Sequence, residues 1–431
     1  MNQNLATTAR HCAITMLLST ALLPLQAALA ADIVVSKFTD SLDGSCNSDC
    51  SLREAVQLAN QTPGASRIVL AAGTYSLSLP PPGGIDRIAE ALPGAVATLS
   101  KLTVRNGSEP HGGGGLRVNA GATLSLQSAA VSGSSVGSSV EPAFGGGIFN
   151  EGTLNIDASR IDGNGTSAGD SYPSGGGGIY NKGSLTVRDA RFISNDVSND
   201  DDAGLGGALY NKGAADIRRA TFENNRTGHY GSGAAILNAG TGTLRLENST
   251  LSDNTSFTDT FFYPGPAGAI ENGDRLDGPT ASARLINVTI AGNNDYGLIN
   301  RARISITNSI IAGNGPVEDP DQAVVGKDEN CLNEGVGTQF SQTGLLRGTD
   351  SGNCPSTLLV LNADSFVTLM YPLALNNWQS PTFALRPGSI AVDAAVGSCP
   401  STDQRRVTRP RDGNGDGIAA CDLGAYERPK P

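Results

Sequence analysis

The segment Asp412-Gly413-Asn414-Gly415-Asp416-Gly417 sets carboxylate and amide oxygens on alternate residues, with glycine at the sixth position. Hard oxygen donors at that spacing suit a calcium loop. Position twelve is Leu423, so Asp422 or Glu427 would have to complete the shell. Without a metal, the same run is an Asp/Gly turn between Cys399 and Cys421. A second concentration of acid is Asp200-Asp201-Asp202, with Asp170 and Asp196 before it and Arg218, Arg219, His229 and Tyr230 after it. Carboxylates beside an Arg or His are the groups that cleave acidic polysaccharides. The alternative is charge solvated on loops, and no catalytic residue is assigned. Tyr172, Phe257, Phe261, Phe262 and Tyr263 lie in polar segments, where exposed aromatics call for a partner such as a glycan or a cell-surface ligand.

These groups must be held by a chain of 431 residues with 55 glycines and a net charge of −11. The acidic balance excludes nucleic acid as a partner, which needs a basic face. Three histidines, of which His11 lies near the N-terminus, are too few for a His-rich zinc site. Residues 1–30 read as a secretory signal: Arg10, an apolar run from Ile14, then Ala28-Leu29-Ala30 as the cleavage site. No later apolar run is long enough to span a membrane. Cys12 leaves with the signal, and Cys46, Cys50, Cys331, Cys354, Cys399 and Cys421 remain. An even count in an exported chain implies disulfides. Pairing of neighbours (46 with 50, 331 with 354, 399 with 421) keeps each pair in its own segment, and free or metal-bound thiols are the alternative.

Between residues 112 and 315 the chain repeats itself. A Gly-rich run, one aliphatic, one further residue and Asn recur as Gly145 to Asn150, Gly176 to Asn181 and Gly206 to Asn211, with looser copies ending at Asn119, Asn238, Asn272 and Asn300. A second element, a large apolar residue followed three places later by Asn, recurs as Phe192…Asn195, Phe222…Asn225 and Leu251…Asn254. A period near 30 means stacked repeats. The pieces between, such as Leu185-Thr186-Val187, alternate apolar and polar and so read as strands. The expectation is an all-β, right-handed parallel β-helix in which Asn150, Asn181, Asn211 and Asn238 form an internal amide ladder. Phe149, Tyr180 and Tyr210 recur at one position and are expected to stack in the core. Segments 165–174, 196–203 and 255–267 read as inserts that loop out on one flank and carry binding.

The two elements resemble the paired GGA[IL] and FxxN repeats of chlamydial polymorphic outer-membrane proteins, with Gly206-Gly207-Ala208-Leu209 and Phe222…Asn225 matching in one period. That resemblance implies a surface adhesin. Its usual membrane barrel has no counterpart in the 116 residues after Gly315. Cys50-Ser51-Leu52-Arg53-Glu54-Ala55 is the CSLREA sequence of a domain of secreted bacterial β-helix proteins. Ser51 and Glu54 form a capping box there, opening an amphipathic helix expected to lid the first coil. Asp403-Gln404-Arg405, Arg409-Pro410 and Cys421 to Glu427 resemble the end of choice-of-anchor Q proteins. The expected organisation is signal 1–30, N-terminal cap and first coils 31–111, β-helix 112–315 and a disulfide-stapled capping region 316–431. The function expected is adhesion or carbohydrate binding without catalysis, with calcium as the only cofactor in view. A lyase or hydrolase acting on acidic glycans, and a passive envelope protein, are the alternatives.

Overall fold

The computed structural model describes residues 31–62, 66–75, 87–169, 172–199, 204–228, 231–256, 266–274, 279–315, 329–349 and 352–431. The signal segment lies outside these. Two compact units divide between Leu79 and Pro80 and are taken in turn.

In the first unit, strands Ala31–Val34 and Ser66–Val69 pair in parallel, and helix Leu52–Gln61 crosses between them. The capping box is formed. Ser51 Oγ accepts from the Glu54 amide at 3.2 Å, and Glu54 accepts from the Ser51 amide at 2.8 Å. Glu54 also accepts from the Asp43 amide and the Ser41 hydroxyl, at 2.9 and 3.0 Å. These donors, the Ser51 and Asp43 amides foremost, hold its carboxyl down at about 2. Arg53 grips Asp40 with two parallel hydrogen bonds of 2.9 and 2.7 Å. Ser, Arg and Glu of this hexapeptide are therefore structural, and Cys46–Cys50 closes the loop before them.

The second unit is a parallel β-helix. The coils up to Thr255–Ser256 visit four faces in the same order, as in Leu209–Asn211, Ala214–Arg218, Thr221–Glu223 and Arg226–Thr227, and the later coils visit the first three. Among the described residues these stack into sheets of nine, nine, ten and six strands, every pair parallel and in register. The stack runs further than the motif, from Ala89–Ala91 to Leu358–Val360.

Where a coil carries three successive glycines they have separate jobs, as at Gly176, Gly177 and Gly178. Gly176 has φ +63°, a left-handed bend that glycine adopts without strain. A Cβ on Gly177 would strike the Asp196 carbonyl of the fourth face, and one on Gly178 would meet the Ala208 carbonyl one coil on and press on the Asn195 amide. The motif thus records how closely the first face approaches the fourth.

Two asparagine ladders run along the bore. Asn150, Asn181, Asn211, Asn238, Asn272, Asn300 and Asn333 each donate an amide hydrogen to the next, at 2.6 to 2.8 Å. The second runs through Asn164, Asn195, Asn225, Asn254, Asn293, Asn314 and Asn330, and each Oδ1 also accepts the backbone N–H of the ladder residue one coil earlier. Buried amides satisfied in this way turn a desolvation penalty into register specificity. Asn119 does not join: Val118 stands opposite Asn150, and Asn119 instead bonds Arg117 and Glu90 at the surface. An extra residue in Gly115-Leu116-Arg117-Val118-Asn119 shifts it out of the inward row.

Aliphatics from the first three faces fill the bore, with Phe192 and Phe222 stacked at 4.4 Å. Phe149, Tyr180 and Tyr210 do stack, but outside that core. They point outward from the first face and form a separate buried cluster with Leu205, Leu237 and Phe144. In a three-residue strand whose Ile and Asn face inward, the middle residue must face out.

The stretches expected to be inserts begin as strands. Gly165–Ala168, Asp196–Asn199 and Thr255–Ser256 belong to the fourth face.

The C-terminal region caps only in part. At the far end of the bore Asn353 accepts from the Asn333 amide and donates to its carbonyl, both at 2.7 Å, which imitates one more strand. Cys354, bonded to Cys331, is buried in the core there. From about residue 381 the chain instead runs back along the side of the third face. Gln404 donates to Thr221 Oγ1 at 2.8 Å and accepts from Thr250 at 2.7 Å. Asn248, Asn287 and Asn308, all left-handed corner residues, donate to the carbonyls of Thr402, Asp422, Gly424 and Val396. Arg406 joins Arg219 on Asp189. The region is a lateral strap, stapled by Cys399–Cys421.

Candidate functional site

Length varies at two corners: between the first and second faces, where two residues separate Asn211 from Ala214 and nine separate Asn272 from Ser282, and in the segments that join the fourth face to the first. The latter include 170–171, 200–203, 229–230 and 257–265. Asp200, Asp201, Asp202, His229, Phe261, Phe262 and Tyr263 all fall there, outside the described residues, together with Asp170, Tyr230 and Phe257. The residues that bound them are stacked: Ala168 lies beside Asn199, and Thr227 beside Ser256. These fourth-to-first segments therefore leave from a single corner of the coil.

At that corner the fourth face stops. After Thr255–Ser256 the next coil passes from Asn293 to strand Tyr296–Asn300 with no fourth-face strand. The Ser256 amide would be left without an acceptor, and the Asp295 carboxylate takes it at 2.7 Å. Burial drives the Asp295 carboxyl up to about 7, and Glu329 and Glu271 nearby reinforce the effect. Glu271 occupies the outward position held in earlier coils by Tyr180, Tyr210 and Leu237. Its carboxylate accepts from the Gly233 and Gly268 amides, each at 3.2 Å, and is paired to Arg301. Arg301 also reaches Glu334, with Nε to Oε1 2.8 Å. Burial opposes the Arg301 charge, but Glu271 and Glu334 hold its pKa above the ordinary value.

A carboxyl poised to hold a proton near neutrality, beside an ion pair, has the means for general acid–base chemistry. The same groups also finish two hydrogen-bond ladders where strands run out. Sequence reasoning passed over Asp295 because it sits in no motif, and Glu271 because it fills the variable position before Asn272 in a looser copy of the repeat. The usable signal was the shortened interval from Asn293 to Tyr296, too brief to cross the fourth face.

The Asp/Gly loop of the strap is tied by its own bonds. Asp412 accepts from the Gly415 and Gly417 amides and pairs with Lys430 at 3.1 Å. Asn414 and Asp416 bond each other. Asp422 is buried elsewhere in the strap, where it accepts from the Asp393 and Arg428 amides. The four residues expected to share calcium are thus not brought around one point. Among the described residues no three His, Cys, Asp or Glu side chains are grouped to hold a metal ion.

The strap has a polar interior. Arg409 donates to the carbonyls of Asp422 and Gly424, while Glu427 accepts the Arg411 and Asp422 amides. Burial raises Glu427 to about 7 and Asp422 to about 6. Asn248-Ser249-Thr250, a glycosylation triplet by sequence, is buried beneath this strap.

No family model and no curated protein matches the chain. Among solved structures, a pectate lyase variant from Xanthomonas campestris is similar over 87% of this chain and 90% of that one, at 11% identity and a TM-score of 0.22.

Proposed function

We propose that the protein is an exported, non-enzymatic β-helix that works as a surface or extracellular module for adhesion or carbohydrate binding. One observation carries the reading. The residues that recur go into ladders, bends and bore, while the segments that hold the candidate acidic and aromatic residues leave from one corner, between the fourth face and the first. Three disulfides and the leader-like residues 1–30 support export. Among the described residues no helix is long and apolar enough to cross a membrane. The test replaces 200–203 and 257–265 by short Gly/Ser bridges and compares glycan-array and cell binding with the intact chain. Loss of binding with an unchanged melting temperature is expected, and unchanged binding refutes the reading.

Asp295 favours a second reading, cleavage of acidic glycans at the same corner. Release of unsaturated or reducing ends, lost in Asp295→Asn or Asp201→Ala, would establish it over the first. Occurrence in the envelope without any ligand would instead point to a passive structural element.

A further inference from the structure

On the second face, strands Ser282–Ile286, Arg303–Thr307 and Gln339–Thr343 lie side by side. Two outward rows run across them: Ser282, Arg303 and Gln339, then Arg284, Ser305 and Ser341. Between the rows Ala283, Ile304 and Phe340 turn their side chains toward the bore, so the floor is backbone. The result is a groove of about 340 Å³.

The charges in it are unspent. Arg284 is exposed and makes no hydrogen bond or ion pair among the described residues. Arg303 donates Nε to Gln339 Oε1 at 3.0 Å and meets no carboxylate. The arginines of the two preceding coils are held, Arg218 by Asp216 and Arg245 by Glu247 and Asp216; Arg188, further back on this face, stands alone among the described residues and has no second arginine of this kind on an adjacent strand. Two guanidiniums without a carboxylate partner among the described residues, diagonal to each other on adjacent strands, stand out on a chain of net charge −11.

We propose that this groove binds an anionic saccharide, with Arg284 and Arg303 taking carboxylates or sulfates and Ser282, Ser305 and Gln339 taking hydroxyls. Coils repeat every ~4.8 Å, close to the length of one pyranose ring, so successive sugars meet successive coils. Guanidinium forks match planar anions. An extended peptide fits less well, because the backbone of Ser282–Ile286 is paired on both sides and offers no free edge for an added strand. The inference rests on the proposed function only in taking a saccharide as ligand, since the groove lies on the second face and not at the corner where the fourth face meets the first.

The test is calorimetry on the full chain with an oligogalacturonate, a sulfated oligosaccharide, a neutral oligosaccharide of equal length and polyglutamate. An anionic saccharide should bind, the preferred one identifying carboxylate or sulfate as the anion. Arg284→Glu and Arg303→Glu should each weaken it about tenfold, as loss of a charge-assisted bond implies. Both residues are exposed, so the variants should melt as the parent does. Equal binding of the neutral oligomer, tighter binding of polyglutamate, unchanged affinity in both variants, or no saccharide binding overturns the proposal. The chain bridged across 200–203 and 257–265 should keep its affinity for the anionic oligomer. Loss there alone would favour the corner and refute the groove.

Discussion

Replacing Asn211 by alanine tests the inner ladder directly. Asn211 is fully buried. It accepts from Asn181 Nδ2 at 2.7 Å and donates to Asn238 Oδ1 at 2.7 Å, to the Gly213 carbonyl at 3.1 Å and to the Thr243 carbonyl at 3.2 Å. Each bond contributes about 1 kcal/mol net, and stranding Asn238 Oδ1 adds about 1–3 kcal/mol. Asn181 keeps other acceptors in Gly183 and Ala214, which softens the loss. The expected cost is about 3–5 kcal/mol in urea denaturation followed by far-UV circular dichroism. Asn119→Ala is the control. By motif it is the same residue, but its partners are at the surface, so it should cost less than about 1 kcal/mol. Hydrogen exchange should show faster opening in the coils on either side of 211, because stacked repeats are stabilised by their neighbours. If Asn211→Ala loses under about 1 kcal/mol, or Asn119→Ala matches it, the ladder does not hold the coils together.

Other consequences follow from the charged groups and the strap. Asp295, Asp422 and Glu427 have folded pKa values raised by burial, so their contribution is fully present below the unfolded value and is lost as pH rises through about 6–7. Thermal melts should therefore peak in mild acid and fall toward pH 8, and Asp295→Asn should recover about 1–3 kcal/mol at pH 8 and little at pH 4. Glu54 behaves oppositely. Its lowered pKa means stability present above about 4.5 and lost toward pH 2, and Glu54→Gln should cost the first unit about 2–3 kcal/mol at pH 7, read as loss of helix signal in that unit expressed alone. Gln404→Ala should loosen the strap by about 2–3 kcal/mol by removing its bonds to Thr221 and Thr250, and limited proteolysis should then cut between 381 and 425 before it cuts the coils.

The coil was legible because its constraints are local and repeated. A glycine that must be left-handed, a glycine pressed on a carbonyl and an inward Asn recur every 27 to 34 residues. The capping box at Ser51 was legible for the same reason. What escaped were features whose partners lie far away in sequence. Asn248, Asn287 and Asn308 look like ordinary turn residues, yet they seat a strap more than 80 residues further on. The outward placement of Phe149, Tyr180 and Tyr210 was hidden because recurrence marks position in a coil and not the side of the wall. Glu271 and Asp295 escaped because they act where a pattern ends, and an ending leaves no repeat to count. The Asp412 to Gly417 spacing promised a metal shell, but Asp422, the residue expected to complete it, is turned to the Asp393 and Arg428 amides, a partnership that lies outside the loop.

The strap imposes an order of events on synthesis. Thr221 waits for Pro381 and Gln404, and Asp189 for Arg406, across 160, 183 and 217 residues. At translation rates of about 5–20 residues per second that is a delay on the order of 10–40 s. Throughout it the outer wall of the middle coils stays wet, with Thr250 and Thr289 bare to any passing strand. A nascent chain of this design is finished from its last-made end backwards, and a ribosome that stalls near residue 380 leaves a rod complete in cross-section but open along one side.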